Sequence, residues 1–334
     1  MTRMRFSKNS LCSFVSAVSI LAALSCNSEK PAPASSPASA PAATEHASNA
    51  EKPVDRATVP LHVEANRPFV DITFRKPDGS TRTARFLVDT GGGGFLIVEP
   101  VARELGMKWG ESHREEGTDF AKLDVPPQAY VGDLALELNP DRVLVLIGTD
   151  NVLPEATKVH ADGMLPGHVL SRYHVVFDYP KATFTLARAG VLKPVGKSMP
   201  MPVSKRSGFP RTELVVDGAT HGFLLDTGAS FTMVSEELLK AWGSAHPDWP
   251  RHAGAFGEAA TLGGQTLETM TVADVKWGSL PLGEVGVTSQ RKGTFEQWMS
   301  GMMTAPIEGS LAGNVLKRFR IELDYPNETL YVSE

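Results

Sequence analysis

A mostly β protein folded as two copies of one unit is the fold class this sequence predicts, and three observations carry it. A block around one acid, Phe86-Leu87-Val88-Asp89-Thr90-Gly91, returns as Phe223-Leu224-Leu225-Asp226-Thr227-Gly228. Two further blocks, Gly163 to Tyr173 and Val175 to Pro180, return as Gly309 to Phe319 and Ile321 to Pro326. Between the blocks run short alternating apolar stretches bounded by Gly, Pro, Asn and Asp, the pattern of strands and turns. The offset is 137 residues at the first block (226 − 89) and 146 at the others (309 − 163), so the order is kept and one copy holds nine residues more (146 − 137). The units are residues 60–190 and 199–333.

In chain order, the first residues are expected to lie outside the fold. Arg3, Arg5 and Lys8 precede an apolar run from Leu11 to Leu24 that serines interrupt. It is too short and too polar for a membrane span and reads as a secretory signal over residues 1–25. The run ends in Ala22-Ala23-Leu24-Ser25-Cys26, which resembles a bacterial lipobox. That resemblance implies cleavage before Cys26 and lipidation of its new N-terminus; the alternative is an ordinary signal peptide cut nearby. Asn27 after the cysteine, by resemblance to enterobacterial sorting, leans towards the outer membrane. Residues 26–58 are rich in Pro, Ala and Ser, cannot bury enough surface to offset their ordering entropy, and read as a disordered tether.

Bulk numbers exclude some classes. The 334 residues carry a formal charge of −5; removing the three cations of the signal leaves 30 basic against 38 acidic residues, or −8. No basic cluster interleaves with aromatics, so a nucleic-acid partner is not expected. The two cysteines are Cys12 and Cys26, so no disulfide can form inside the folded part.

Within each unit the first expected element is a hairpin. Phe69 to Phe74 alternates, Pro77-Asp78-Gly79 turns, and Ala84 to Val88 returns; Thr212 to Val216, Asp217-Gly218 and Gly222 to Leu225 repeat it. Short helices follow the acids, Pro100 to Leu105 and Ser235 to Trp242. Further strands are read at Leu134–Leu138 and Thr269–Trp277. A helical turn, Val169–Tyr173 or Val315–Phe319, then leads into a strand, a Tyr-Pro turn and a last strand, Thr183–Leu186 or Thr329–Val332. The nine added residues are placed within Gly293–Pro306. There Phe295, Trp298, Met299 and Met302 fall on one helical face, read as core or as a lid over an apolar pocket.

Two β-rich units, each with Asp-Thr-Gly after an apolar strand, resemble the aspartic proteases, and the late Gly-x-Leu-x-Gly-x-x-Leu-x-Arg-aromatic block resembles their retropepsin-like bacterial branch. The resemblance covers residues 60–333. It implies a bilobal aspartic-protease fold, with two homologous closed β-barrel-like lobes, short helices and pseudo-two-fold symmetry. It also implies an extended peptide or protein substrate lying between the lobes under hairpin flaps, here Gly117–Tyr130 and Gly254–Glu268. Tyr130 is read as a rim tyrosine or a flap aromatic.

The chemistry accounts for the duplication. Hydrolysing a peptide without a metal or a covalent nucleophile needs a base to activate water and an acid to protonate the carbonyl. Two adjacent carboxyls cannot both ionise comfortably and so share a proton. Asp89 and Asp226 are the expected catalytic pair, brought together within one chain, so a monomer is expected. By the resemblance, Thr90 and Thr227 bond across the axis. Gly91 and Gly228, lacking Cβ atoms, let their amides approach the carboxyls. Ser230 would add a hydroxyl near Asp226. Gly92, Gly93 and Gly94 are expected to make a looser support for Asp89 than Ala229 makes for Asp226. Departures from the family's pattern are Pro166 and Ala312 in the late block, and His168 where Asn314 stands in the second copy.

Other readings of these residues are weaker. The glycine run lacks the Lys-Ser/Thr of a phosphate loop. Ser289-Gln290-Arg291-Lys292 matches Ser-x-x-Lys without its companion motifs. The nine histidines show no metal-ligand spacing, and no cofactor is implied. Arg172 and Arg318 are read as braces within their own units. The expected function is an aspartic endopeptidase lipid-anchored in the bacterial envelope, its folded part extracytoplasmic. The alternative is a peptide- or protein-binding lipoprotein on the same scaffold without turnover.

Overall fold

The computed structural model describes residues 54–115, 118–253, 261–262, 265–266, 268–290 and 292–334. The signal segment, Cys26, the tether up to residue 53 and most of the second expected flap lie outside these residues. No helix among the described residues is long and apolar enough to cross a membrane.

The fold is mostly β, and the two halves are wired alike. The opening hairpin of the first half pairs Arg67–Arg75 with Thr81–Asp89; that of the second pairs Arg211–Val216 with Ala219–Leu225. Alternation sets the faces, with Ile72 and Phe74 inward and Asp71 and Arg75 outward. In the second hairpin the turn residues Asp217 and Gly218 both have positive φ, the geometry a two-residue reversal needs. Gly163–Pro166 then lies parallel to the strand that ends in Asp89 and antiparallel to Phe95–Val98. Gly309–Leu311 does the same between Ala219–Leu225 and Thr232–Ser235. Each acid is therefore carried out of a strand whose neighbour is fixed on one side by a distant segment.

The helices fall close to their expected places. They span Glu99–Glu104 and Glu236–Ala245, the second capped by Ser235, whose Oγ accepts from the Leu238 amide at 3.0 Å. The late helical turns lie at Gly167–Leu170 and Gly313–Leu316, two residues before the expected start. Arg318 donates to the Leu282 carbonyl at 3.0 Å and Arg172 meets Glu137 at 3.5 Å, so both brace their own half.

Closure differs between the halves. In the second, Glu268–Trp277 and Leu280–Gln290 form one long hairpin that reaches back to the first strand, with Leu214 opposite Trp277, and closes a six-stranded barrel. In the first half the corresponding segments are broken into Thr118–Leu123, Ala129–Val131, Leu134–Ala135 and Val143–Ile147, and the sheet stays open. Two closed units are thus corrected to one. Pro126, Pro127 and Pro140 sit at the breaks, where a missing N–H cannot continue a ladder. The strand expected over Leu134–Leu138 stops at Ala135, because the Glu137 amide donates to the Tyr173 phenol at 2.9 Å instead of to a strand.

The expected flap at Gly117–Tyr130 is also corrected. The hairpin there is Trp109–Glu115 with Thr118–Leu123, whose tip, residues 116–117, lies outside the described residues. Tyr130 sits in the sheet opposite Thr73, under the Arg75 guanidinium.

A six-stranded antiparallel sheet joins the halves. Its order is Arg56–Pro60, Thr183–Ala187, His174–Asp178, Arg320–Asp324, Thr329–Ser333 and Lys197–Pro200, three strands from each half. The tether therefore ends earlier than expected, since Arg56 to Thr58 already pair with Thr185 to Ala187. At the central seam His174 and Glu322, 1% and 0% exposed, meet at 3.0 Å. Arg320 bonds Glu322 and reaches Asp178 at 3.4 Å, and the Val195 amide donates to Glu322 at 2.7 Å.

Burial pushes the Glu322 carboxyl up, but the bonds from His174, Arg320 and Val195 outweigh it, and its pKa lies below the ordinary value. A carboxylate depressed in the folded state adds stability above its unfolded pKa, and that stability is lost as pH falls through the folded value. Glu322→Gln is expected to cost about 3 kcal/mol at neutral pH, and much less at pH 3, in urea unfolding of the two proteins side by side.

Candidate active site

The strand Thr81–Asp89 and the strand Ala219–Leu225 deliver Asp89 and Asp226 to the interface of the halves, 0% and 1% exposed. A reciprocal set of hydrogen bonds holds the two loops. The Thr90 amide donates to Thr227 Oγ1 at 3.1 Å and the Thr227 amide to Thr90 Oγ1 at 3.0 Å. Each hydroxyl in turn donates across the interface, Thr90 to the Leu225 carbonyl at 2.5 Å and Thr227 to the Val88 carbonyl at 2.7 Å. Both threonines are fully buried, so each bond replaces one that water cannot supply.

Each carboxyl is oriented by its own loop. Gly91 donates to Asp89 Oδ1 at 2.8 Å; Gly228 and Ala229 donate to Asp226 Oδ1 at 3.0 and 3.1 Å. The other oxygen of each acid, Oδ2, is buried and receives no hydrogen bond from the described residues. Asp89 and Asp226 are close enough that each bears on the other's protonation.

The glycines also make room for the opposite acid. A Cβ on Gly228 would lie 2.2 Å from Asp89 Cγ, and one on Gly91 would lie 3.2 Å from Asp226 Cγ. Both acids are pushed above the ordinary carboxylate range. For Asp89 the cause is burial, then the neighbouring charge of Asp226; for Asp226, burial outweighs the Ala229 and Gly228 amides and lifts it to about 6.

Gly92 is closely packed. A Cβ on Gly92 would sit 3.0 Å from Met164 Cε, 3.1 Å from Met164 Sδ and 3.2 Å from Asp89 Cγ, so the Met164 thioether occupies the space beside the acid. The Gly167 amide donates to the Gly92 carbonyl at 3.1 Å, as the Gly313 amide does to Ala229 at 3.0 Å. In the second half the sizes are exchanged, with Ala229 for Gly92 and Ser310 for Met164. The remaining volume is filled by Phe209, Met233, Phe295, Met299 and Met302. The added segment, a helix over Thr294–Met299 wound with Trp298 N to Gly293 O bonds, is therefore core beside the acid's loop.

Ser230 departs from expectation. Its carbonyl carries the contacts, accepting from Asn66 Nδ2 and from the Asn314 amide, both at 3.1 Å, while Ala229 supplies the extra donor to Asp226. Asn314 ties the second loop through Oδ1, which accepts from the Thr232 amide at 2.8 Å. His168, at the matched position, is buried against the backbone of Gly93. Burial, then Arg142 and Arg172, lowers its pKa to about 3, and the ring is neutral.

Sequence reasoning missed Arg67. Its Nε donates to the Gly228 carbonyl at 2.9 Å, and its charge favours the ionised form of both acids. Internal repetition hides it, because hairpin register matches Arg67 to the apolar Phe209.

No protein-family model matches the chain, and a search of curated proteins returns no relative.

Two outcomes follow from this packing. Gly228→Ala drives a methyl into a carboxyl that backbone holds fixed, whereas at Gly92 the nearest atoms belong to a flexible methionine. Gly228→Ala should lose about 3 kcal/mol in chemical denaturation and Gly92→Ala about 1 kcal/mol. Because the Asp89 pKa is raised on folding, the folded state binds that proton more tightly, and its contribution is lost as pH rises through the folded value. Asp89→Asn should accordingly raise the thermal midpoint at pH 7, by an amount that shrinks towards pH 3.5.

Proposed function

We propose that the chain is an aspartic endopeptidase with a bilobal aspartic-protease fold, its lobes being residues 60–190 and 199–333. One observation carries the reading: two buried carboxyls, one from each repeat, face one another in loops locked by reciprocal threonine bonds. Burial and like charge favour one shared proton, the state that supplies a base and an acid at one point.

In this reading the ionised carboxyl takes a proton from a substrate-bound water as the water oxygen attacks the scissile carbonyl carbon. The protonated carboxyl hydrogen-bonds the carbonyl oxygen and stabilises the developing charge. Collapse of the tetrahedral species breaks the C–N bond, and the leaving nitrogen takes a proton from the pair, which returns to its single-proton state. Asp89 and Asp226 touch the reacting atoms. Thr90, Thr227, Gly91, Gly228 and Ala229 hold them in place. The paired strands Trp109–Glu115 with Thr118–Leu123, and Arg251–Ala253 with Glu268–Met270, are the elements assigned to flank an extended peptide. Lipidation at Cys26 would tether the folded part to the outer surface of a membrane in the bacterial envelope.

Met164 seated against Gly92 supports a firmly held Asp89, which favours turnover over peptide binding alone.

Asp89→Asn and Asp226→Asn are each expected to lower cleavage of a peptide library by at least about a thousandfold, because either change removes the shared proton. Mass-spectrometric profiling of cleavage sites reads this out. Cleavage that survives in either single variant would overturn the proposal.

A further inference from the structure

We propose that Arg67 is a positioning residue that couples the docking of the two halves to the charge carried by the Asp89–Asp226 pair. The inference rests on reading that pair as one that shares a proton.

Arg67 opens the strand Arg67–Arg75, directly after a reversal in which Ala65 and Asn66 both have positive φ. Although it belongs to the first half, the reversal is anchored on the second. Asn66 Nδ2 donates to the Ser230 carbonyl at 3.1 Å, and Lys317 Nζ donates to Asn66 Oδ1 at 2.8 Å. The Asn66 carbonyl lies so close to Gly313 that a Cβ there would be 1.7 Å away. The Arg67 backbone is thus delivered to the second half's loop only when the halves are docked.

The side chain completes the link. Its Nε bonds the Gly228 carbonyl, while the Gly228 amide bonds Asp226 and the Gly228 Cα lies against Asp89. One residue joins the guanidinium to both acids. Arg67 is 9% exposed, so its charge is weakly screened at this range. Burial alone would drive both carboxyls to the protonated form. A cation beside them offsets one negative charge and leaves the singly ionised pair with no net charge to bury.

Arg67 is also asymmetric. Phe209 stands at the matched position in the second half, buried among apolar side chains. Nearby titratable groups add no charge. Tyr325 is held as a neutral phenol by burial and then by the charge of Asp89, and His168 is neutral. The strands Gly163–Pro166 and Gly309–Leu311, which flank the acids, contain no ionisable side chain.

Carbon-13 NMR of the full chain labelled at aspartate carboxyls tests this, with Asp89→Asn and Asp226→Asn assigning the two signals. Arg67→Gln should raise the titration of both carboxyls by about one pH unit, a tenfold change in proton affinity, and Arg67→Lys by less than half as much. The acid limb of kcat/KM should move with them. Unmoved titrations in Arg67→Gln, or an equal shift in Arg67→Lys, would overturn the proposal. Should Arg67→Gln not fold, Asn66→Ala, which frees the reversal from Ser230 and Lys317, must raise both titrations, and its failure to do so overturns the proposal equally. A wild-type chain that cleaves no peptide yet shows the shift in Arg67→Gln would remove the endopeptidase reading and support the coupling.

Discussion

Two carboxyls buried beside one another repel, and the rest of the structure follows from having to hold them there. The reciprocal bonds of Thr90 and Thr227 meet that constraint, because each threonine gives its amide to the other's hydroxyl and its own hydroxyl to the opposite strand. Neither loop can shift without breaking bonds in both halves. Since these groups are out of water, a broken bond is not replaced, so the arrangement is held by geometry more than by the small net worth of each bond.

Around that centre the two halves are similar in wiring and unequal in packing. The first places glycine beside its acid and fills the gap with Met164; the second places alanine there and fills outward with an added helix. Side-chain volume is thus exchanged between neighbouring positions, which a close-packed interior permits when the total is kept. Barrel closure shows the same inequality. Continuous strands close the second half, and prolines leave the first open.

The joining sheet supports the centre from a distance. Its seam buries His174 and Glu322 and joins them to the half-buried Arg320 in one hydrogen-bonded group. Such a group specifies register, because a slip of one residue would send Glu322 and Arg320 together to the other face and leave His174, on the neighbouring strand, without its partner.

Much of this was legible along the chain. The repeated Asp-Thr-Gly blocks, the hairpins, the late helical turns and the paired final strands are local patterns, each written within about ten residues by alternation and turn chemistry. Repetition matches Asp89 with Asp226 and Thr90 with Thr227, and the resemblance to the aspartic proteases implies that the matched residues meet. What lay beyond the sequence was the set of contacts that differ between the copies: Met164 against Gly92, the Ser230 carbonyl in place of its hydroxyl, the unclosed first sheet, and above all Arg67 on the Gly228 carbonyl. A repeat reports what two copies share. A contact between residues 161 positions apart, made from one half and not matched in the other, leaves no trace in that comparison, and it comes into being only when the two halves meet.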